Sequence, residues 1–440
     1  MNTASVVGPR NPARIALVAM AGASIEYYDF FIYATAATLV FPTHFFSRDL
    51  PPVIAQLAAF STFAVGFIAR PLGGILFGHI GDLFGRKRAL SSALIMMGVA
   101  TTLVGFLPTY EVAGSFGAAL LVVLRFIQGL AVGGQWGGAA LLAIENAPPS
   151  KRGLYGSFVQ MGVPVGIVLA NGAFYLLDET ISPAAFEAWG WRLPFLFSVV
   201  LVILGFYVKS RLQDSPGYPD KPSHDVSLGE AARNSPIVAA LRDQGMTIVL
   251  AGGAFIASSG CFYLDITYGV GYGINHAHVS RGTMLMGIML SSLLMMPALA
   301  WFAALTDRYG RSGLYMLGAA LSGIVSFALF PVIDTGSAVG ISLIMIAVMV
   351  SAAMMYGPQA ALFAELFDQR IRYSGASLGY QIGSILGGGF APIIATALYS
   401  KFASATPVAA YMAVMCLVSL ICVAALGRRS AASNSMISST

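Results

Sequence analysis

Gly78-His79-Ile80-Gly81-Asp82-Leu83-Phe84-Gly85-Arg86-Lys87-Arg88 packs three glycines, one acid and three bases into a short break between two long apolar runs. A weaker copy, Thr306-Asp307-Arg308-Tyr309-Gly310-Arg311, recurs at the matching place in the second half of the chain. Working outward from these two breaks, the sequence divides into two similar halves, each interrupted by a polar turn at the same point.

What surrounds the breaks is too apolar for a water-soluble domain. The 440 residues are 57% hydrophobic and 10% charged, with a mean hydropathy of +0.78. A hydrocarbon core of ~30 Å needs about 20 apolar residues per helix. Runs of that kind lie near 14–40, 53–77, 89–107, 117–144, 154–177 and 192–209, then near 246–272, 284–305, 313–333, 338–364, 374–399 and 408–426. The expected fold is an all-α integral membrane protein of twelve transmembrane helices in two pseudo-symmetric six-helix bundles. Its expected parts are an N-terminal bundle at 1–209, a cytoplasmic linker at 210–244, a C-terminal bundle at 245–427 and a cytoplasmic tail at 428–440. The first apolar run follows Arg10 and Arg14 as a signal peptide would, but Glu26 and Asp29 interrupt it and no cleavage pattern follows. It reads as a retained first helix.

Orientation comes from the bases. Alternate loops, counted with both termini and the central linker, hold 18 of the 24 lysines and arginines, whereas the opposite loops hold Arg48, Arg192, Arg281 and Lys401. By the positive-inside rule both termini face the cytoplasm. The pI near 9.1 therefore reports topology, and no nucleic-acid partner is expected. Cys261, Cys416 and Cys422 lie in apolar runs without metal or redox spacing, and His276 and His278 lack a third ligand, so neither a metal nor a cofactor is expected.

The repeat extends beyond the two turns. Glu145 and Arg152 are seven residues apart, as are Glu365 and Arg372; Gln160-Met161-Gly162 is echoed by Gln381-Ile382-Gly383. Ser24, Tyr28 and Tyr33 match Ser259, Tyr263 and Tyr268 at a constant offset. Repeated membrane halves place a binding site between them near the midplane, with one half rocking against the other.

These features resemble the major facilitator superfamily over the whole chain and, within it, the metabolite:proton symporter family. The stretches that carry the resemblance are Ile25-Glu26-Tyr27-Tyr28-Asp29-Phe30-Phe31-Ile32-Tyr33, Arg70-Pro71-Leu72-Gly73-Gly74, Arg125-Phe126-Ile127-Gln128-Gly129 and Gly133-Gly134-Gln135-Trp136-Gly137-Gly138. Tyr373-Ser374-Gly375 followed by Tyr380-Gln381 adds to them, and Arg125 through Ala147 is most similar to the shikimate-permease branch. The resemblance implies a proton-driven importer of a small carboxylate or zwitterion in the bacterial inner membrane, the best guess being shikimate or a related acid. A monomer in the lipid bilayer is expected, with protons and a small organic acid as its partners. Two positions depart from the family pattern: Leu83 stands where relatives carry a base, and Gln135 where they carry an acid.

An ionisable side chain inside a span costs roughly 2.5–3.5 kcal/mol, so each one requires a reason. Glu26, Asp29, Arg70, Arg125 and Asp265 lie deep. Asp29 sits ~22 Å from the cytoplasmic end of its helix at ~1.5 Å per residue, and Arg125 lies at a similar height. Facing one another, Asp29 would carry the coupled proton and Arg125 the substrate carboxylate, which guanidinium binds bidentately; the competing reading is a permanent structural ion pair. Glu26 is a second proton site or a partner for Arg70, and Asp265 a coupling, substrate or polar-pairing residue. Tyr28, Tyr33, Gln135, Trp136, Gln160, Tyr263, Tyr356, Gln359 and Gln381 supply the polar and aromatic lining a hydroxylated ring acid needs.

Arg70 lies nearer the cytoplasm and is expected in an inner gate. There Asp82, Arg86 and Arg88 with Glu145 and Arg152, and Asp307 and Arg311 with Glu365 and Arg372, form a charge latch. No phosphate-binding Gly-x-x-x-x-Gly-Lys-[Ser/Thr] loop occurs, which disfavours an ATP-driven pump. No nucleophile or His/Cys/acid constellation points to an enzyme. An uncoupled facilitator is the remaining alternative.

Overall fold

A computed structural model describes residues 12–84, 86–133, 144, 147–200, 202–203, 236–368 and 371–438. Among the described residues there are helices and no strands. In the first half these are α1 Pro12–Leu39, α2 Pro52–Phe84, α3 Arg86–Phe106, α4 Ser115–Gly133, α5 Arg152–Thr180 and α6 Gly190–Val200. In the second half α7 Pro236–Tyr263 runs on through the π-turns of Leu264–Gly269 into Val270–Asn275. It is followed by α8 Arg281–Tyr309, α9 Arg311–Asp334 and α10 Ala338–Leu366. The helix α11 Arg372–Gly383 continues through a second π segment, Ser384–Gly389, into Ala391–Phe402, and α12 is Thr406–Ser438. Nine described helices are long and apolar enough to cross a bilayer, with Ser91–Phe106 and Gly190–Val200 as shorter apolar companions.

Helix ends follow local chemistry. Ser280 Oγ accepts from Thr283 N at 3.1 Å and starts α8, and Ser337 Oγ accepts from Gly340 N at 3.2 Å and starts α10, each a standard N-cap. Between α8 and α9 the chain reverses on one residue, Gly310, at φ +86°. Side chains rarely adopt that conformation, which explains a glycine in the second polar turn. Near the expected end of the central linker, Gln244 breaks the helical path of α7 with φ −134° and ψ 30°.

The sequence repeat reappears as a packing repeat. The helix α1 packs on α5 as α7 packs on α11; α2 packs on α4 as α8 packs on α10; α3 packs on α4 as α9 packs on α10. Lipid offers helices little hydrophobic reason to associate, so close van der Waals approach through small residues takes over. A Cβ built on Gly162 would lie 2.5 Å from Ala23 Cβ, and one on Gly383 would lie 2.6 Å from Phe255 Cβ. These glycines are the two copies of the Gln-x-Gly repeat, and each lets its helix lie against the first helix of its own half. Two seams join the halves: α5 runs along α8 and α10, and α2 runs along α11.

Candidate functional site

At the seams the first-half residues Phe30, Phe63 and Phe67 meet Tyr263 of α7, with ring centroids 5.2–6.1 Å apart. Two arginines are set into this aromatic group. The Arg125 Cζ lies 4.3 Å from the Phe30 ring centroid, 4.1 Å from Tyr33 and 4.8 Å from Phe63. Arg70 Cζ lies 4.6 Å from Phe30 and 4.3 Å from Phe67, and its side chain hydrogen-bonds Tyr263. Faces of aromatic rings attract cations through the ring quadrupole, which offsets part of the cost of burying both groups.

Arg125 donates from Nη1 to Gln128 Oε1 at 3.1 Å, and Gln128 Nε2 donates to Thr101 Oγ1 at 3.0 Å. That chain fixes the fork, while Nε and Nη2 of Arg125 have no hydrogen-bond partner among the described residues. Tyr33 donates to Thr62 Oγ1 at 2.8 Å, which holds its ring under Arg125. Tyr28 donates to the Pro194 carbonyl at 2.9 Å and ties α1 to α6.

The structure does not join Asp29 to Arg125. Asp29 is buried against the Ser198 hydroxyl of α6, with Oδ1 unpartnered among the described residues and the half-buried Glu26 within electrostatic reach. Asp265 sits in the first π segment, fully buried, and neither carboxylate oxygen has a partner among the described residues. A π-turn inside an α-helix shifts the side-chain register and is frequent at functional sites. Between the halves lies a cavity whose walls include Tyr27, Ser258, Ser259, Tyr263, Tyr356 and Tyr380. Only about 20 Å³ of it is open to the centre of a water molecule, room for one or two waters and too little for a ring acid. Gln160 reaches the Tyr356 carbonyl at 3.4 Å. Gln359 and Gln381 are buried on α10 and α11, both amide atoms of Gln359 and Oε1 of Gln381 lacking partners among the described residues.

Each end of the α5–α8 seam carries charges. At one end Asp307 accepts from Gly153 N at 2.8 Å and Leu154 N at 3.1 Å, so a carboxylate of the second half caps the N-terminus of a first-half helix. Arg311 pairs with Asp307 at 3.5 Å and with Glu365 at 2.7 Å. Arg152 is exposed, and Arg372 donates to the Phe367 carbonyl at 3.4 Å. At the other end Arg281 pairs with Asp178 at 3.3 Å and Glu187 at 3.6 Å, and His44 with Glu187 at 3.6 Å. The expectations for Gln135, Trp136 and Glu145, and for the side chains of Asp82, Arg86 and Arg88, lie outside the described residues.

Sequence reasoning missed Phe30, Phe63 and Phe67, the Ser198 contact, and the Arg281 cluster. Only the last had a signal: Arg281 is a rare base on the base-poor side.

Residues 19–386 match the family model described as Major Facilitator Superfamily. The chain is 39% identical over 416 residues to the Shikimate transporter of Escherichia coli K12, covering 92% of each. It is 38% identical over 418 residues to the Inner membrane metabolite transport protein YhjE of the same organism, covering 93% of this chain and 92% of that one. The fold is similar to the partially occluded inward-open xylose transporter XylE of E. coli, with a TM-score of 0.70 at 19% identity over 95% of this chain and 97% of that one.

Proposed function

The chain belongs to the Major Facilitator Superfamily, and on that premise we propose that it is a proton-coupled symporter. It imports a small organic acid across the bacterial inner membrane by alternating access. The observation that carries this reading is Arg125: a 1% exposed guanidinium at the seam between halves, with two N–H-bearing nitrogens that no described residue uses. Guanidinium in that state is a carboxylate receptor. Two deep acids without ion pairs among the described residues, Asp29 and Asp265, are the proton carriers, Asp29 first because it lies in the same α1 segment as Phe30 and Tyr33.

On this reading the chain has twelve spans, both termini face the cytoplasm, and the two bundles at 1–209 and 245–427 rock about the seams as a monomer. The Asp307, Arg311 and Glu365 cluster then lies at the cytoplasmic end, and the Arg281 cluster at the outer end. Asp82, Arg86 and Arg88 with Glu145 and Arg152 are assigned to the companion latch. The first substrate to try is shikimate, since a shikimate transporter is among the similar proteins; quinate, dicarboxylates and betaine complete the panel. The experiment is uptake into proteoliposomes holding the purified full-length protein, with and without an inward proton gradient. Accumulation above equilibrium that a protonophore abolishes is expected for at least one acid. Equilibration of an acid without accumulation would make the protein a facilitator.

A further inference from the structure

Arg70 and Arg125 are 3% and 1% exposed, and no described carboxylate pairs with either. Both lie against the ring of Phe30, at 4.6 and 4.3 Å from its centroid, so their Cζ atoms are at most 8.9 Å apart, the sum of the two distances. Like Arg125, Arg70 keeps Nε and Nη2 without a partner among the described residues. Its side-chain partner Tyr263 belongs to the opposite half and lines the central cavity.

We propose that Arg70 is a second anion-anchoring residue beside Arg125, and that the site therefore prefers a compact substrate bearing two carboxylates to one bearing a single carboxylate. This rests on the reading of the protein as an organic-acid transporter. Two like charges buried this close repel one another and have each lost their hydration. Ring faces return part of that loss but accept no conventional hydrogen bond from the N–H groups left over. Among the described residues no carboxylate comes within ion-pair distance of either fork, and Asp29 lies against Ser198 and Asp265 beside Cys261. One carboxylate satisfies one fork; a diacid of about four to six carbons reaches both and meets each bidentately. A purely structural Arg70 predicts no such preference.

The test is a thermal-shift titration of the purified full-length protein with succinate, glutarate and 2-oxoglutarate, each set against succinamate and shikimate. Ligand that binds the folded state raises the melting temperature by mass action, so the half-saturating concentration is read without any transport step. At least one diacid is expected to half-saturate at a concentration about tenfold or more below both monoacids. In Arg70→Gln that ratio falls to about one, and Arg70→Lys, which keeps the charge but not the fork, falls between. Monoacids that bind as well as every diacid, or an Arg70→Gln protein that keeps the ratio, would overturn the inference, as would no stabilisation by any of the acids. Diacid preference without proton-driven accumulation leaves this inference standing and removes the symport reading; proton-driven accumulation of a monoacid that binds as well as every diacid does the reverse.

Discussion

A carboxylate held against a serine hydroxyl and a guanidinium wrapped in aromatic rings divide the proposed chemistry between them. Asp29 and Arg125 are not an ion pair here, so each is available to its own ligand, the proton or the acid. Asp29→Asn keeps the shape and the Ser198 contact but cannot exchange a proton. Counterflow of substrate should stay within about threefold of wild type while accumulation driven by a proton gradient is lost; a variant that still accumulates moves the proton site to Asp265 or Glu26. The deep charges were legible because a charge in a span stands out against its cost. Their neighbours were not. Phe30, Phe63 and Phe67 are three of 28 phenylalanines, and nothing in their spacing says that they wrap a cation. The Asp29–Ser198 contact joins helices 169 residues apart, a relation no local pattern encodes.

Among the elements, α5 shows most directly how one half holds the other. Its first free amides point at Asp307, where the partial positive charge of the helix end and two N–H donors meet a carboxylate. Asp307→Asn removes the charge and one acceptor, a loss of about 0.5–2 kcal/mol by comparison with other helix caps. The Asp307 end of the seam should open more often, read as faster alkylation of a cysteine introduced at buried Ser157, with counterflow affinity unchanged. Unchanged alkylation would reduce the contact to a packing detail. The repeat of the polar turn, the Gln-x-Gly pair and the glutamate–arginine spacing made this symmetry readable before any coordinates. The two π segments, Leu264–Gly269 and Ser384–Gly389, were not readable, because one extra residue in a turn is decided by packing against neighbouring helices.

At the scale of the whole molecule both ends of the α5–α8 seam are tied, by Asp307 at one and by Arg281 with Asp178 and Glu187 at the other. The cavity between them is closed down to a water or two. Alternating access then consists of releasing one tie while the other holds. Arg281→Gln should release its tie and shift the population toward opening at that end. Spin labels across the Arg281 end of the α5–α8 seam would then show longer distances, and a distribution identical to wild type would rule the tie out as a gate. The most direct test of the central claim is the proton itself. In a lightly buffered suspension of proteoliposomes, adding a transported acid should make the external medium alkaline as protons enter with it, and the signal should vanish in Asp29→Asn. Uptake of the acid with no movement of external pH would contradict proton-coupled symport.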